Sequence, residues 1–305
     1  MTDLTIRKMD NEMCSVYYNS LYDFHTEKRM DNNKSNHIGT NRHLERKADP
    51  SWFGVEYQQG KDVIKKALLG DPILYKNLQE KISLLDKRLG TFTAKGVMQS
   101  VVKSKRVTVR GKFGDEIDIH KINSGQLDTA WSSKIRKQFD AQHKLVTLFI
   151  DISGNSNIKC EDTLWTAAVT VKLLADLERA GKSVKIVVGG AVYSALRGTS
   201  KKLACAITVK EYNERLAPER LAAMSHVGFY RSWGFTAYHD HDYATVTDTI
   251  GYSRGTMTVK ELPINLQEEI EKGHTRLIVV PKSLNSYDAE TSIKECKRQI
   301  ESFAN

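Results

Sequence analysis

The second half of the chain alternates short apolar runs with apolar residues at helical spacing. Residues 144–151 (KLVTLFID) and 184–192 (VKIVVGGAV) are nearly continuous apolar runs, which are typical of strands buried on both faces. Between these runs, apolar residues recur three or four positions apart from about Thr163 to Ala180, which predicts a helix. A strand, a crossover helix and a second strand predict a parallel pair in an α/β fold.

The rest of this half extends the prediction. We expect a third strand at 203–209, paired antiparallel with the second at a sheet edge, and a fourth strand at 277–280. Residues 211–225 and 289–303 have apolar spacing that favours helices. Residues 141–305 are therefore predicted to form a Rossmann-like, mostly parallel sheet flanked by helices.

The first 140 residues follow a different pattern. Residues 1–50 are polar with balanced charges, and we expect a mobile N-terminal arm there. Apolar spacing over 51–90 predicts two short helices separated by Gly70-Asp71-Pro72, and the valine-rich stretch 91–112 predicts strands. We interpret residues 51–140 as an α+β region that precedes the sheet domain.

Charge separates the two halves. The chain carries 46 Lys and Arg against 37 Asp and Glu, and residues 51–140 hold 17 of the basic and 10 of the acidic residues. A nucleic-acid partner is one interpretation of this excess, and a solvated strand face or an acidic protein partner are the others. The nucleic-acid hypothesis rests on a stretch that contains no acid, with the basic residues Lys103, Lys105, Arg106, Arg110 and Lys112.

Cysteine usage and hydropathy indicate the compartment. The four cysteines lie too far apart for a disulfide scaffold, which favours buried thiols in a reducing compartment. No stretch approaches the roughly 20 apolar residues that a membrane span needs, and the first residues lack a signal-peptide core. We expect a soluble, cytoplasmic protein with no membrane partner.

Candidate chemistry lies at the end of the first buried strand. The carboxyl end of this strand carries Asp151, Ser153, Asn155 and Ser156 in one short turn. Ligands of open α/β sheets bind beyond the carboxyl ends of strands, and oxygen ligands of this kind suit Mg²⁺. The turn therefore predicts a magnesium site, and the alternative is that Asp151 and Ser153 only cap the next helix and fill a turn.

An aromatic segment is the second candidate. Residues 226–235 (HVGFYRSWGF) combine Tyr230, Arg231 and Trp233, residue types that dominate protein-interaction hot spots. The alternative is a turn whose aromatic rings plug the end of the sheet.

Catalytic motifs give no support for an enzyme. The sequence has no GxxxxGK[ST] phosphate loop, no GxGxxG after a strand and no GxSxG elbow. A metal-dependent hydrolase using Asp151 ranks last, because the neighbouring strand ends, Gly189-Gly190 and Val280-Pro281, supply no further acid. We therefore expect a protein without bond-breaking activity.

The phrase LFIDISGNSN, followed by a long helix and VKIVVGG, resembles the von Willebrand factor A domain and its metal-ion-dependent adhesion site. The signature of that site is Asp-x-Ser-x-Ser. Asp151 and Ser153 match its first two positions, Asn155 stands in the third, and Ser156 lies one place later. The family also uses an aspartate at the end of its fourth strand, where this chain reads IVVPKSLN without an acid.

The order of SWFGV, GDEIDIHKINSGQLDTAW and HVGFYRSWGF around that unit resembles a group of phage-encoded von Willebrand A-like proteins over residues 50–305. The resemblance implies a phage protein in the host cytoplasm that acts as a Mg²⁺-dependent protein-interaction module. It also implies a MoxR-type AAA+ ATPase as the partner class, with an acidic side chain of the partner completing the coordination of the metal.

Overall fold

The apolar runs that predict buried strands lie in one mixed sheet of the computed structural model. The structure describes residues 5–9, 13–24, 44, 53–54, 59–89, 104–111, 116–126, 129–138, 145–154, 158–196, 199–240, 262 and 264–302. The chain divides into two compact units, one from residues 1–94 and 143–303 and the other from residues 95–142. The first unit is an α/β fold with helices on both faces of a six-stranded sheet.

The strands of the described residues have the following bounds: β1 (Thr5–Met9), β2 (Met13–Tyr18), β3 (Ser104–Gly111), β4 (Glu116–Ile117), β5 (Trp131–Gln138), β6 (Leu145–Asp151), β7 (Ser183–Leu196), β8 (Thr199–Lys210) and β9 (Arg276–Val280). The large sheet has the order β1-β2-β8-β7-β6-β9. Strand β6 pairs parallel with β7 on one side and with β9 on the other. The predicted strand–helix–strand unit and the predicted fourth strand are confirmed.

The helices of the described residues have the following bounds: α1 (Gly60–Leu69), α2 (Pro72–Leu89), α3 (Ile119–Asn123), α4 (Leu164–Arg179), α5 (Pro218–Met224), α6 (Val227–Phe229), α7 (Phe235–Asp240), α8 (Ile264–Glu271) and α9 (Ser286–Ser302). A 3₁₀ turn, Cys160–Thr163, precedes α4, and a π-helical turn, Tyr230–Gly234, joins α6 to α7. Among these helices, none combines the length and the apolar character that crossing a bilayer requires.

Side chains alternate between the two faces of the sheet along β6, and both faces are buried. Val146, Leu148 and Ile150 lie on the face that α4 covers, and all three are buried. Phe149 lies on the opposite face, where it packs with Tyr17 of β2 and Leu266 of α8. Because each face of β6 meets apolar side chains, the strand needs an apolar residue at almost every position, as its sequence shows.

The break between α1 and α2 has a local cause. The Asp71 carboxylate accepts the backbone N–H groups of Ile73 at 2.9 Å and Leu74 at 3.1 Å, so Asp71 caps α2. Pro72 follows at the first helical position, where its missing N–H costs nothing. The two helices predicted over 51–90 are confirmed.

The N-terminal residues differ from the mobile arm that we expected over 1–50. Strand β1 pairs antiparallel with β2, and β2 pairs parallel with β8. Val16, Tyr17 and Tyr18 are buried in the sheet. Strand β8 is therefore an interior strand and not the edge that we predicted, although its antiparallel pairing with β7 is as expected.

Two further boundaries differ from the predictions. The region 51–140 is divided between the two units, because α1 and α2 belong to the unit that contains the six-stranded sheet. Of residues 211–225, which we expected to be helical, the structure has helix α5 over Pro218–Met224. Helix α5 starts at Pro218 because proline suits the first turn and cannot donate an N–H within a helix.

The second unit contains a three-stranded antiparallel sheet with the order β3-β5-β4. Strands β3 and β5 are paired from Ser104 opposite Gln138 to Gly111 opposite Trp131. Helix α3 follows β4 and is capped by Asp118, whose carboxylate accepts the Lys121 N–H at 3.4 Å. Of the stretch 91–112 predicted to contain strands, residues 104–111 form β3, and residues 91–103 and 112 lie outside the described residues.

Gly189 allows β7 and β8 to approach each other closely. A Cβ atom at Gly189 would collide with the Cys205 carbonyl oxygen and would lie 3.0 Å from the Ala206 Cα. Both neighbours are backbone atoms of β8, so they cannot move without disturbing the strand pairing.

We expect Gly189→Ala to lower the free energy of unfolding by about 1–3 kcal/mol, because overpacking forces the two backbones apart. Ser183→Ala, at an exposed position of the same strand, is the matched control and should change it by less than about 0.5 kcal/mol. Urea denaturation followed by circular dichroism measures both variants. Equal midpoints for the two variants would contradict the close-approach explanation.

Candidate functional site at the carboxyl end of β6

Asp151 is the last residue of β6, and its side chain is enclosed. Its exposed fraction is 2%, and that of Ser153 is 1%. The Asp151 Oδ1 accepts the backbone N–H of Ser153 at 2.9 Å and the Ser153 hydroxyl at 2.6 Å. Helix α4 begins at Leu164 with Thr163 as its N-cap, so Asp151 and Ser153 do not cap this helix. Their hydrogen bonds instead agree with the other half of that alternative, in which the two residues fill a turn.

Lys282 supplies a positive charge at the same strand end. Lys282 follows β9. Its Nζ donates to the Ser153 carbonyl oxygen and, at 3.4 Å, to the Ser153 hydroxyl. The same Nζ lies 3.7 Å from the Asp151 Oδ2, and the Lys282 side chain is 20% exposed. Carboxylate, hydroxyl, carbonyl and ammonium thus form one cluster, which we call the strand-end cluster (Asp151, Ser153 and Lys282).

The loop that carries Lys282 is held from both sides. The Ser283 N–H donates to the Thr166 hydroxyl of α4 at 2.9 Å. The Ser292 hydroxyl of α9 donates to the Pro281 carbonyl oxygen at 3.1 Å and lies 2.7 Å from the Ser283 hydroxyl. Two helices therefore fix the backbone on both sides of Lys282.

Asp151 and Ser153, two of the four predicted magnesium ligands, are engaged with each other and with Lys282 in this arrangement. Asp151 Oδ1 already accepts two hydrogen bonds, and Oδ2 faces the Lys282 ammonium. Within the part of the chain that the structure describes, no group of three or more His, Cys, Asp or Glu side chains could hold a metal ion. Asn155 and Ser156, the other two predicted ligands, lie outside the described residues.

Sequence reasoning missed Lys282. The segment IVVPKSLN lacks the acid that the von Willebrand A resemblance implies after the fourth strand, and it carries Lys282 there. The sequence shows a lysine after the fourth strand, and only the sheet shows that this strand, β9, lies directly beside β6.

The predicted interaction residues Tyr230, Arg231 and Trp233 need a correction, because they are buried. Their exposed fractions are 0%, 1% and 0%. The Trp233 ring stacks on Phe229 with centroids 5.3 Å apart, and a Cβ at Gly190 would lie 2.9 Å from the Tyr230 ring. The segment packs against β7, so its aromatic side chains belong to the core, as the alternative interpretation proposed.

Arg231 carries its charge into this core. Its Nη2 donates to the Ile158 carbonyl oxygen at 3.1 Å, and its Nη1 donates to the Cys160 sulfur at 3.5 Å. Burial raises the pKa of the Cys160 thiol to about 11, against a smaller opposing effect of Arg231. The thiol is therefore protonated at neutral pH, which suits a structural cysteine and not a nucleophile.

His226 is a buried neutral histidine next to this group. Burial and, to a smaller extent, the Arg231 charge lower the pKa of His226 to about 4, and Asp71 opposes the shift. Its Nδ1 accepts the Gly228 N–H at 3.3 Å, which leaves the proton on Nε2. That Nε2 has no hydrogen-bond partner among the described residues.

The basic residues of the nucleic-acid hypothesis lie in the second unit. Lys105, Arg106 and Arg110 belong to β3, whereas Lys103 and Lys112 lie outside the described residues. In the register of the ribbon, Lys105 is opposite Lys137 and Arg106 is opposite Arg136. Sequence reasoning did not include the β5 positions, because it could not know which strand pairs with β3.

The low pKa of His226 predicts a loss of stability in acid. Between about pH 6.5 and pH 4 the unfolded chain binds a proton at His226 that the folded chain does not, so the free energy of unfolding falls as the pH is lowered. The loss should reach about 3 kcal/mol, at about 1.4 kcal/mol per pKa unit.

His226→Asn keeps an acceptor for the Gly228 N–H and removes the titration. Urea denaturation at about pH 7 and about pH 4.5 should show a smaller pH effect in His226→Asn than in the wild type. The exposed His274 gives the control His274→Asn, which should keep the full wild-type effect. A wild-type pH effect in His226→Asn would show that other groups cause the acid sensitivity.

Comparison with known proteins gave one family. Neither curated proteins nor solved structures gave a match to the chain. A family model described as "Domain of unknown function (DUF7192)" matches residues 5–303, which include both units and the strand-end cluster. The chain therefore belongs to the DUF7192 family.

Proposed function

We propose that the chain is a non-enzymatic protein-interaction module that binds an acidic side chain of its partner at the carboxyl end of β6. The observation that carries this proposal is the contact of Lys282, whose side chain is 20% exposed, with the buried Asp151 carboxylate. In open α/β sheets the ends of the parallel strands are the usual binding position. Because two helices hold the Lys282 loop, the ammonium is placed before a partner arrives.

The resemblance to von Willebrand A domains supports this proposal. Strand β6, helix α4 and strand β7 follow each other in the order on which the resemblance rests, and β9 lies on the other side of β6. The resemblance also implies Mg²⁺ at this point. Asp151 and Ser153 could ligate Mg²⁺ only after the Lys282 ammonium withdraws from them.

A hydrolase at the same position receives little support from the site. The Ser153 hydroxyl donates to Asp151, and the Lys282 ammonium lies beside Ser153. Gly189 pairs with Asp151 but is not the strand end that we expected, because β7 continues to Leu196. General-base or two-metal hydrolysis would require further acids or a histidine there. We therefore keep partner binding as the function of this site.

We propose a MoxR-type AAA+ ATPase as the partner class and the host cytoplasm as the location. Both follow from the resemblance to phage-encoded von Willebrand A-like proteins. An acidic side chain of such an ATPase would meet the Lys282 ammonium at the strand end.

Partner binding should depend on Lys282 and not on a distant lysine. We expect Lys282→Ala to weaken binding of the full chain to a purified host MoxR-type ATPase at least tenfold, because it removes the charge that faces the partner. Lys272→Ala, an exposed residue between α8 and the amino end of β9, should bind like the wild type. Biolayer interferometry measures the dissociation constants.

Equal affinity of the two variants would contradict a role of the strand end. Absence of binding by the wild type would remove this ATPase as the partner class.

The register of the basic ribbon supports a second candidate function, binding of nucleic acid by the second unit. In the register of the ribbon, Arg106 is opposite Arg136 and Thr108 is opposite Lys134, and residues 104–111 and 131–138 contain no acid. Like charges directly opposite each other destabilise a strand pair. A polyanion would relieve that repulsion, and a two-stranded ribbon fits the major groove of duplex DNA.

Binding of a duplex of about 20 base pairs should weaken steeply with salt. For the double variant Arg106→Gln/Arg136→Gln, we expect the slope of log K against log salt concentration to decrease by about two, one for each lost phosphate contact. Lys272→Gln in the first unit is the control and should keep the wild-type slope. Fluorescence anisotropy measures the affinities, and a slope that the double variant leaves unchanged would contradict this function.

A further inference from the structure

The strand-end cluster contains a cation of its own. We propose that the Lys282 ammonium permanently takes the place of the divalent ion that the resemblance implies, so that the site binds a partner carboxylate directly and without metal. This inference rests on the proposed function for the identity of the ligand. The replacement of a metal by an ammonium is argued from the contacts between Lys282, Ser153 and Asp151.

The oxygens around Lys282 are those that a cation at this strand end would use. The ammonium donates to the carbonyl oxygen and the hydroxyl of Ser153 and lies 3.7 Å from Asp151 Oδ2. The carboxylate and both oxygen atoms of Ser153 thus converge on one positive charge. A lysine that pointed elsewhere would have left these oxygens to water or to a metal.

The ammonium charge at the carboxyl end of β6 disfavours a second cation there. The Asp151 carboxylate carries one negative charge, and the ammonium beside it neutralises that charge. A divalent ion on the same oxygens would stand within a few ångströms of the ammonium, in an enclosed environment where like charges repel strongly. It would also have to displace the hydrogen bonds that Ser153 makes to Asp151.

The donors of the Lys282 ammonium decide which ligand the site takes. An ammonium has three N–H donors, and Ser153 engages two of them within the described residues. The third is left for Asp151 or for an incoming oxygen, and the side chain is 20% exposed. A carboxylate is the group that gains most from such a partly desolvated ammonium, since the hydrogen bond is charge-assisted.

The loop anchors fix the backbone that carries Lys282. Withdrawal of Lys282 by a loop movement would break the bonds of Ser283 to Thr166 and of Ser292 to Pro281. A variant that shortens the side chain at position 282 removes the ammonium without touching these anchors. Such a variant should uncover a cation site that the wild type does not offer.

Manganese binding without any partner tests the exchange. Purified wild-type chain, Lys282→Ala and Lys282→Asp are titrated with Mn²⁺, and the free ion is counted by electron paramagnetic resonance. We expect Lys282→Ala to bind Mn²⁺ at least tenfold more tightly than the wild type, and Lys282→Asp to bind it more tightly still. The gain should disappear in Lys282→Ala/Asp151→Asn, and Lys272→Ala should bind like the wild type.

Two outcomes would overturn the inference. The first is equal Mn²⁺ affinity of the wild type and both position-282 variants. The second is tight binding by the wild type that Asp151→Asn abolishes, which would show that the ammonium yields to the metal. If one position-282 variant does not fold, as judged by circular dichroism, the other decides the test.

The metal titration and the partner assay can fail separately. A gain of Mn²⁺ affinity without any binding to the ATPase would leave the ammonium in place and remove only the proposed partner.

Discussion

The compensation of the Asp151 charge is the constraint on which the strand end depends. A carboxylate with 2% exposure is costly unless an opposite charge and hydrogen bonds surround it. Ser153 supplies two hydrogen bonds from the turn that follows β6, and Lys282 supplies the charge from the loop after β9. The ends of two neighbouring strands are therefore joined by one electrostatic contact.

Helices α4 and α9 hold the loop that makes this contact. Thr166 in the first turn of α4 and Ser292 in α9 hold the loop that carries Lys282. Gly190 of β7 leaves space for Ser153, since a Cβ there would lie 2.8 Å from the Ser153 Cβ. The buried segment with Tyr230 and Trp233 packs against β7, where a Cβ at Gly190 would lie 2.9 Å from the Tyr230 ring. The position of the ammonium is thus set by the packing of the whole sheet.

The sequence was informative where the signal is local. Apolar runs predicted β6, β7 and β9, and helical spacing predicted α1, α2, α4 and α9, because burial on both faces or on one face has a period that a short window shows. The pairing of β2 with β8 could not be predicted, since it joins residues nearly 190 positions apart. For the same reason Tyr230, Arg231 and Trp233 looked like a surface, although the fold buries them.

The candidate site likewise contains residues that the local sequence indicates and residues that only the fold brings together. Asp151 and Ser153 could be selected because they follow a buried strand, which is a property of the local sequence. Lys282 acts 129 positions from Ser153, and only the placement of β9 beside β6 brings them together. The facing of Arg106 and Arg136 in the ribbon also required the register of two separate strands. Chemistry that depends on non-local pairing was therefore beyond the reach of the sequence.

A crystal structure from crystals soaked in Mn²⁺, with anomalous diffraction data, tests the central claim most directly. The account predicts the Lys282 Nζ beside Ser153 and Asp151, with no anomalous peak at the carboxyl end of β6. An anomalous peak coordinated by Asp151, with Lys282 turned away, would contradict it.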